Sequence, residues 1–351
     1  MHTNFFLDPT LARNPPIKRA AYSDRTSWIL AEISRLVYQP LPPEVSIKQY
    51  VTEIVSAVQR GEHADVVEAL VRRVAETDAS ETGEVADILR MADFHLLEAF
   101  SYGGSEALLA SLAPREGFEG MLVLAFRGTQ LDQSADIISD ARANLIAAKG
   151  GGRAHKGFLE AFGRVEGPIR AALDIHKGLP LYITGHSLGG ALALVATRYL
   201  GSDSTGATYT FGCPRVADDV FFESVKTPVY RVVNAADGVT RVPFGYSLTI
   251  ILALIRLIPI NGTRWISDQL RRHFLGYTHF GSLAFLSAAQ NVPDEQGIGF
   301  KGLTIQMSPD IFWQVAHVLR RWVMTLGKAA ISDHSIEEYS LKLLAHAKRR
   351  N

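Results

Sequence analysis

The apolar and polar positions divide the middle of the chain into short β-rich runs separated by helical stretches. The runs are Leu122 to Phe126, Leu181 to Thr184, Thr208 to Phe211 and Val229 to Val233, each ending at a turn or a polar cluster. Between the first two, Phe158, Phe162, Val165, Ile169 and Leu173 recur at helical spacing, with a kink or restart expected at Pro168. Between the second and third, Ala191 to Leu200 reads as a buried helix stopped by Gly201. Strands alternating with helices predict an α/β fold with a mainly parallel central sheet covered by helices on both faces.

Three further stretches read as additions to that scaffold. Residues 42–91 form a helical insertion, in which Ile47, Val51, Ile54, Val55 and Val58, then Val67, Leu70, Val71 and Val74, keep helical spacing. Residues 244–275 form an apolar insertion. Near the end, Ile311, Val315, Val318, Trp322 and Leu326 define one face of an amphipathic helix, with Arg320 and Arg321 beside it. The 351 residues, 47% hydrophobic and 21% charged, suffice for a large core and are read as one domain, 1–351, carrying these insertions.

Charge and cysteine content narrow the partners. The 36 basic and 36 acidic residues cancel, so no overall field draws in nucleic acid. With Cys213 as the single cysteine and no apolar h-region near the start, the expected location is cytoplasmic. The greasiest run, Leu248 to Ile260, makes about 20 Å of helix against the roughly 30 Å of a bilayer core, too short to span it. With Arg256, Arg264, Arg271, Arg272 and Trp265 nearby, it suits a membrane-surface element, a second lid or a buried helix.

The candidate chemistry lies in LYITGHSLGG, Leu181 to Gly190. Ser187 sits in a GxSxG pattern, with Gly185 and Gly189 on either side, after an apolar strand and at the start of a helix. A serine hydroxyl needs a histidine to take its proton and an acid to orient that histidine, in the chain order Ser, Asp or Glu, His. Asp237 falls in the polar turn after the Val229 run, where such an acid belongs; Asp218 and Asp219 are rivals that also suit a helix cap. Two histidines remain open as the base, His279 in GYTHFG and His334 in DHSIEEY, while His186 is adjacent to the nucleophile and points elsewhere.

The ordered motifs resemble the class 3 lipases, the family of the secreted filamentous-fungal triacylglycerol lipases. They are FRGT (Phe126 to Thr129), HKGF (His155 to Phe158), GHSLGG (Gly185 to Gly190), FGCPRV (Phe211 to Val216), NAADGVTRVP (Asn234 to Pro243), GYTHFG (Gly276 to Gly281) and DHSIEEY (Asp333 to Tyr339). The resemblance implies the α/β-hydrolase fold, favours His334 over His279, and supplies an oxyanion hole from Thr129 and Leu188. Arg127 and His155 are read as supporting residues. By analogy with the family's lid, 134–147 forms a short amphipathic helix with Ile137, Ile138, Ala141 and Leu145 on one face. The expected activity is hydrolysis of acylglycerol esters through an acyl-serine, with no metal or organic cofactor and peripheral contact with lipid. A carboxylesterase on short or aryl esters and a catalytically silent interaction protein on the same fold are the alternatives.

Overall fold

The computed structural model describes residues 5–17, 21–41, 83–128, 145–201, 206–241, 276–292 and 298–350 other than 327, with positions 58 and 68 alone between them. Most of the 42–91 insertion, all of 244–275 and the expected lid up to residue 144 lie outside these.

Eight strands form one sheet in which each strand neighbours the next in sequence. They are β1 (Phe94–Tyr102), β2 (Ser105–Leu112), β3 (Met121–Phe126), β4 (Leu181–His186), β5 (Thr208–Phe211), β6 (Val229–Asn234), β7 (Ser282–Leu286) and β8 (Ile305–Met307). The run from β3 to β7 is parallel, and β1, β2 and β8 pair antiparallel at the two edges. This is the expected mainly parallel sheet of an α/β-hydrolase, widened by antiparallel strands.

The helices are α1 (Asp24–Leu36), α2 (Glu84–Met91), α3 (Lys156–Ile175), α4 (Leu188–Leu200), α5 (Ile311–Met324) and α6 (Ile336–Arg350). Alternate strand residues feed opposite cores, because successive side chains of a strand point to opposite faces. Val123, Ala125, Tyr182, Tyr209 and Val232 join Trp28, Ile33, Tyr339 and Leu343 of α1 and α6. Leu122, Leu124, Phe126 and Ile183 join Phe162, Val165, Ile169 and Leu192 of α3 and α4. Helix α4 is apolar nearly all round because Gly189 to Thr197 is buried throughout.

Several local readings change. The helix α3 runs through Pro168 without interruption. Arg164, whose carbonyl Pro168 leaves unpaired one turn back, is exposed, so that carbonyl can meet water. Gly201 ends α4 with an ordinary negative φ, and its role is space: an added Cβ would lie 2.5 Å from the Thr197 carbonyl oxygen and 2.6 Å from Thr227 Oγ1. Residues Leu145–Ala147, expected at the end of the lid helix, pair instead as a strand with Arg153–His155. Helix α5 ends at Met324, before Leu326, whose φ is +50°. On α5, Trp313 and Val318 reach the sheet, while Phe312, Val315, Leu319, Trp322 and Val323 are exposed.

Candidate active site

The turn at Ser187 is shaped by the glycines around it. Strand β4 runs directly into α4 through Ser187, whose φ of +57° and ψ of −124° are strained for a residue with a Cβ. Its N–H donates to the Phe211 carbonyl at 2.9 Å, which pins the turn to β5. A Cβ at Gly185 would lie 2.3 Å from the Gly189 carbonyl oxygen, and one at Gly189 would lie 2.2 Å from that of Phe126. Both contacts are well below van der Waals distance, so the turn closes only with glycine at these positions.

Three side chains from three separate segments meet here. The His334 Nε2 lies 2.9 Å from Ser187 Oγ, and its Nδ1 lies 3.1 and 3.0 Å from the two carboxylate oxygens of Asp237. A carboxylate only accepts, so Nδ1 holds the proton and Nε2 is left to accept from the serine hydroxyl. Asp237, fully buried in the turn after β6, also accepts from the Val239 N–H at 2.9 Å and the Tyr339 hydroxyl at 2.7 Å. These donors satisfy the carboxylate where water does not reach it.

The loop that bears His334 is fixed from several directions. Asp333 accepts from the Ala236 N–H at 3.0 Å and takes a two-pronged contact from Arg321 of α5, with Nη2 at 2.9 Å. Its carbonyl accepts from Asn234 Nδ2 at 2.9 Å, and Asn234 Oδ1 accepts from the buried Lys342 ammonium at 2.8 Å.

The other candidates sort by position. Half-buried His279 is held neutral first by burial and then by the Arg231 and Arg215 guanidiniums, and it touches the backbone of Thr240. Asp218 caps the helical turn Asp219–Phe222 through the Phe221 N–H and binds Arg153, while Asp219 is exposed. Arg127 pairs with Glu106, and His155 stacks on Phe158 with 4.2 Å between ring centroids. Leu188 is the first residue of α4, where a helix leaves N–H groups without intrahelical partners. Thr129 lies outside the described residues; Gly128 before it passes over the Ser187 turn, where a Cβ would lie 2.6 Å from the His186 carbonyl oxygen.

Sequence reasoning missed several supports. The motifs DHSIEEY, NAADGVTRVP and FGCPRV contain Tyr339, Asn234 and Gly212 without marking what each one does. An added Cβ at Gly212, whose φ is +59°, would lie 2.8 Å from Asp237 Oδ2 and 2.9 Å from His334 Nδ1. No helical or strand periodicity marks such a glycine; only the meeting of three distant segments explains it. Among the described residues, no group of three or more His, Cys, Asp or Glu could hold a metal ion.

Residues 123–247 match the model of the lipase (class 3) family. The secreted mono- and diacylglycerol lipase 1 of Fusarium solani is 41% identical over 117 residues, which is 30% of this chain and 34% of that protein. The toxin TseL of Vibrio cholerae serotype O1 is 34% identical over 214 residues, 58% of this chain and 33% of its own. The chain thus spans about a third of the length of these curated relatives. A lipase from Rhizopus microsporus var. chinensis superposes with a TM-score of 0.47 at 19% identity, covering 92% of this chain and 91% of that one.

One expectation falls with these findings. The Fusarium relative is a secreted enzyme, which points away from a cytoplasmic location. A lone cysteine does not oppose this, since a core of this size closes without a disulfide to staple it. Residues 123–247, set within the ordered motifs and on this sheet, are thus similar to the class 3 lipases.

Proposed function

We propose that this protein hydrolyses carboxylic esters of acylglycerols through an acyl-serine intermediate. The observation that supports this most is the continuous hydrogen-bond line from Ser187 through His334 to Asp237. Ser187 Oγ attacks the ester carbonyl while His334 Nε2 takes its proton, and Asp237 steadies the imidazolium that forms. His334 then protonates the departing alcohol, and a water repeats the sequence to free the acid. The N–H groups of Leu188 and Thr129 receive the oxyanion, and removing one such donor typically costs about 10² to 10³ in rate. His279 takes no part.

Ser187 and His334 are each only 1% exposed, so ester reaches them only after the site opens. For contact with a lipid surface we assign α5. Its outward side presents Phe312, Val315, Leu319, Trp322 and Val323, and no acidic residue occurs from Ile311 to Ser332, while Arg320 and Lys328 are exposed. Apolar and aromatic groups beside cations suit the boundary between lipid headgroups and chains.

The deciding experiment is hydrolysis of p-nitrophenyl esters from short to long acyl chains and of emulsified triacylglycerol. Ser187→Ala, His334→Ala and His279→Ala serve as controls. Cleavage of long chains, lost in the first two variants and kept in the third, is expected. Exclusive cleavage of short soluble esters makes this a carboxylesterase, and failure of a fluorophosphonate probe to label Ser187 makes it a silent member of the fold.

A further inference from the structure

The geometry points to Tyr38 and His186 as positioning residues that tie the loop entering the oxyanion site to the loop carrying His334 through one line of hydrogen bonds. The line starts where the Gly128 backbone closes on the Tyr38 hydroxyl. Tyr38 Oη lies 3.0 Å from His186 Nδ1, and His186 Nε2 lies 2.7 Å from the backbone carbonyl oxygen of His334. The two imidazoles pack against each other, tilted by 37°, with 4.6 Å between centroids.

The direction of every bond follows from chemistry. A carbonyl oxygen only accepts, so His186 Nε2 bears the proton. The ring is neutral, since burial first and the neighbouring His334 second hold its pKa well below the ordinary histidine value. Nδ1 is therefore an acceptor, and the Tyr38 hydroxyl is its donor. Tyr38 is held in its neutral, donating form by burial. One tautomer of His186 is thus selected, and it is the one that grips His334 from behind while Asp237 and Ser187 engage the imidazole.

The line reaches both sides of the reaction without touching the nucleophile. At one end is the residue before Thr129, at the other the backbone of the base. Close approach makes the first end specific: a Cβ on Gly128 would lie 2.3 Å from Tyr38 Oη. Tyr38, just beyond α1, therefore supports a site whose other residues follow β3, β4 and β6 or precede α6. Displacing either end disturbs proton transfer and oxyanion capture together, steps made only in the transition state, so the loss belongs to kcat and leaves KM alone.

The inference rests on the ester-hydrolase reading for its kinetic test, so a second readout is independent of turnover. The variants are Tyr38→Phe, His186→Leu, His186→Gln and the double variant Tyr38→Phe/His186→Leu. Tyr38→Phe keeps the ring and removes one hydroxyl; it is expected to fold and to lose about tenfold in kcat, equivalent to about 1.4 kcal/mol, at unchanged KM. The double variant should be no slower than His186→Leu alone, because the two residues act as a unit. His186→Gln, whose amide offers both a donating NH2 and an accepting oxygen, should recover part of the loss. Independently, ¹⁵N shifts should show His186 protonated on Nε2, and altered in Tyr38→Phe.

A folded Tyr38→Phe with kcat within twofold of the parent overturns the inference. So do additive losses in the double variant, or a proton on His186 Nδ1. If His186→Leu does not fold, Tyr38→Phe and the ¹⁵N shifts decide by themselves. If the parent hydrolyses no ester, the proposed function fails, and the imidazole shifts still decide the hydrogen-bond line.

Discussion

Replacing Gly212 by alanine introduces a single methyl group at the centre of the site. Its Cβ would lie 2.8 Å from Asp237 Oδ2, 2.9 Å from His334 Nδ1 and 3.0 Å from His334 Cε1, where ordinary contact begins near 3.4 Å. The methyl can be accommodated only if the carboxylate and the imidazole spread by roughly half an ångström or more, lengthening bonds of 3.0 and 3.1 Å and drawing Nε2 off Ser187 Oγ. A misplacement of about 1 Å at a reacting group can cost about 10² in rate, so kcat should fall roughly 10- to 100-fold. The φ of +59° adds a backbone cost of about 1 to 2 kcal/mol. Gly117→Ala separates the two effects, because Gly117 has a φ of +74° and nothing within 4 Å of an added Cβ. Both variants should lose similar stability in urea titration, and only Gly212→Ala should lose turnover of a p-nitrophenyl ester. A folded Gly212→Ala with the parent's kcat would refute the reasoning, as would equal losses of turnover in both variants.

Three more outcomes follow from the same geometry. Arg321→Gln leaves the 1%-exposed Asp333 carboxylate without its cation and should destabilise the fold by about 3 kcal/mol, read as a lower urea midpoint; an unchanged midpoint refutes it. Stability should fall on acidification from pH 7 to 5.5, since burial holds His186 and His279 neutral in the fold while the unfolded chain takes up protons near 6.5. Each contributes up to about 1.4 kcal/mol per pH unit, and His279→Asn should flatten the slope; stability that rises on acidification refutes this. Replacing Phe312, Trp322 and Val323 by serine should weaken sedimentation with phosphatidylglycerol-containing vesicles and leave hydrolysis of a soluble short ester intact, whereas unchanged vesicle binding removes α5 as the contact surface.

Much of the fold was legible because its buried parallel strands are short and uniformly apolar. Thr208–Phe211 was read to the residue, and β3, β4 and β6 to within two residues at either end. Strands β1 and β2 were missed, although their two-residue turn, Gly103-Gly104, is a hairpin signal; Glu98, Ser101 and Glu106 break their apolar runs. Helix α1 was missed because its apolar residues Trp28, Ile29, Leu30 and Ile33 are mixed with Thr26, Ser27 and Ser34, which are buried too.

The site divides along the same line. The sequence by itself determined Ser187 and its flanking glycines, because a strand-to-helix turn is local and its steric demands are written in adjacent residues. It also placed Asp237 at the end of a strand, and left His279 and His334 level until the whole motif order was considered. Only the tertiary structure decided which histidine faces the serine, since the two are brought to opposite fates across long stretches of chain: His334 to Ser187 and Asp237, His279 to a half-buried place beside the Thr240 backbone. Tertiary packing alone also decided the need for Gly212 and the parts of Tyr38, Asn234 and Asp333. A close approach between distant segments leaves no periodicity in any one of them.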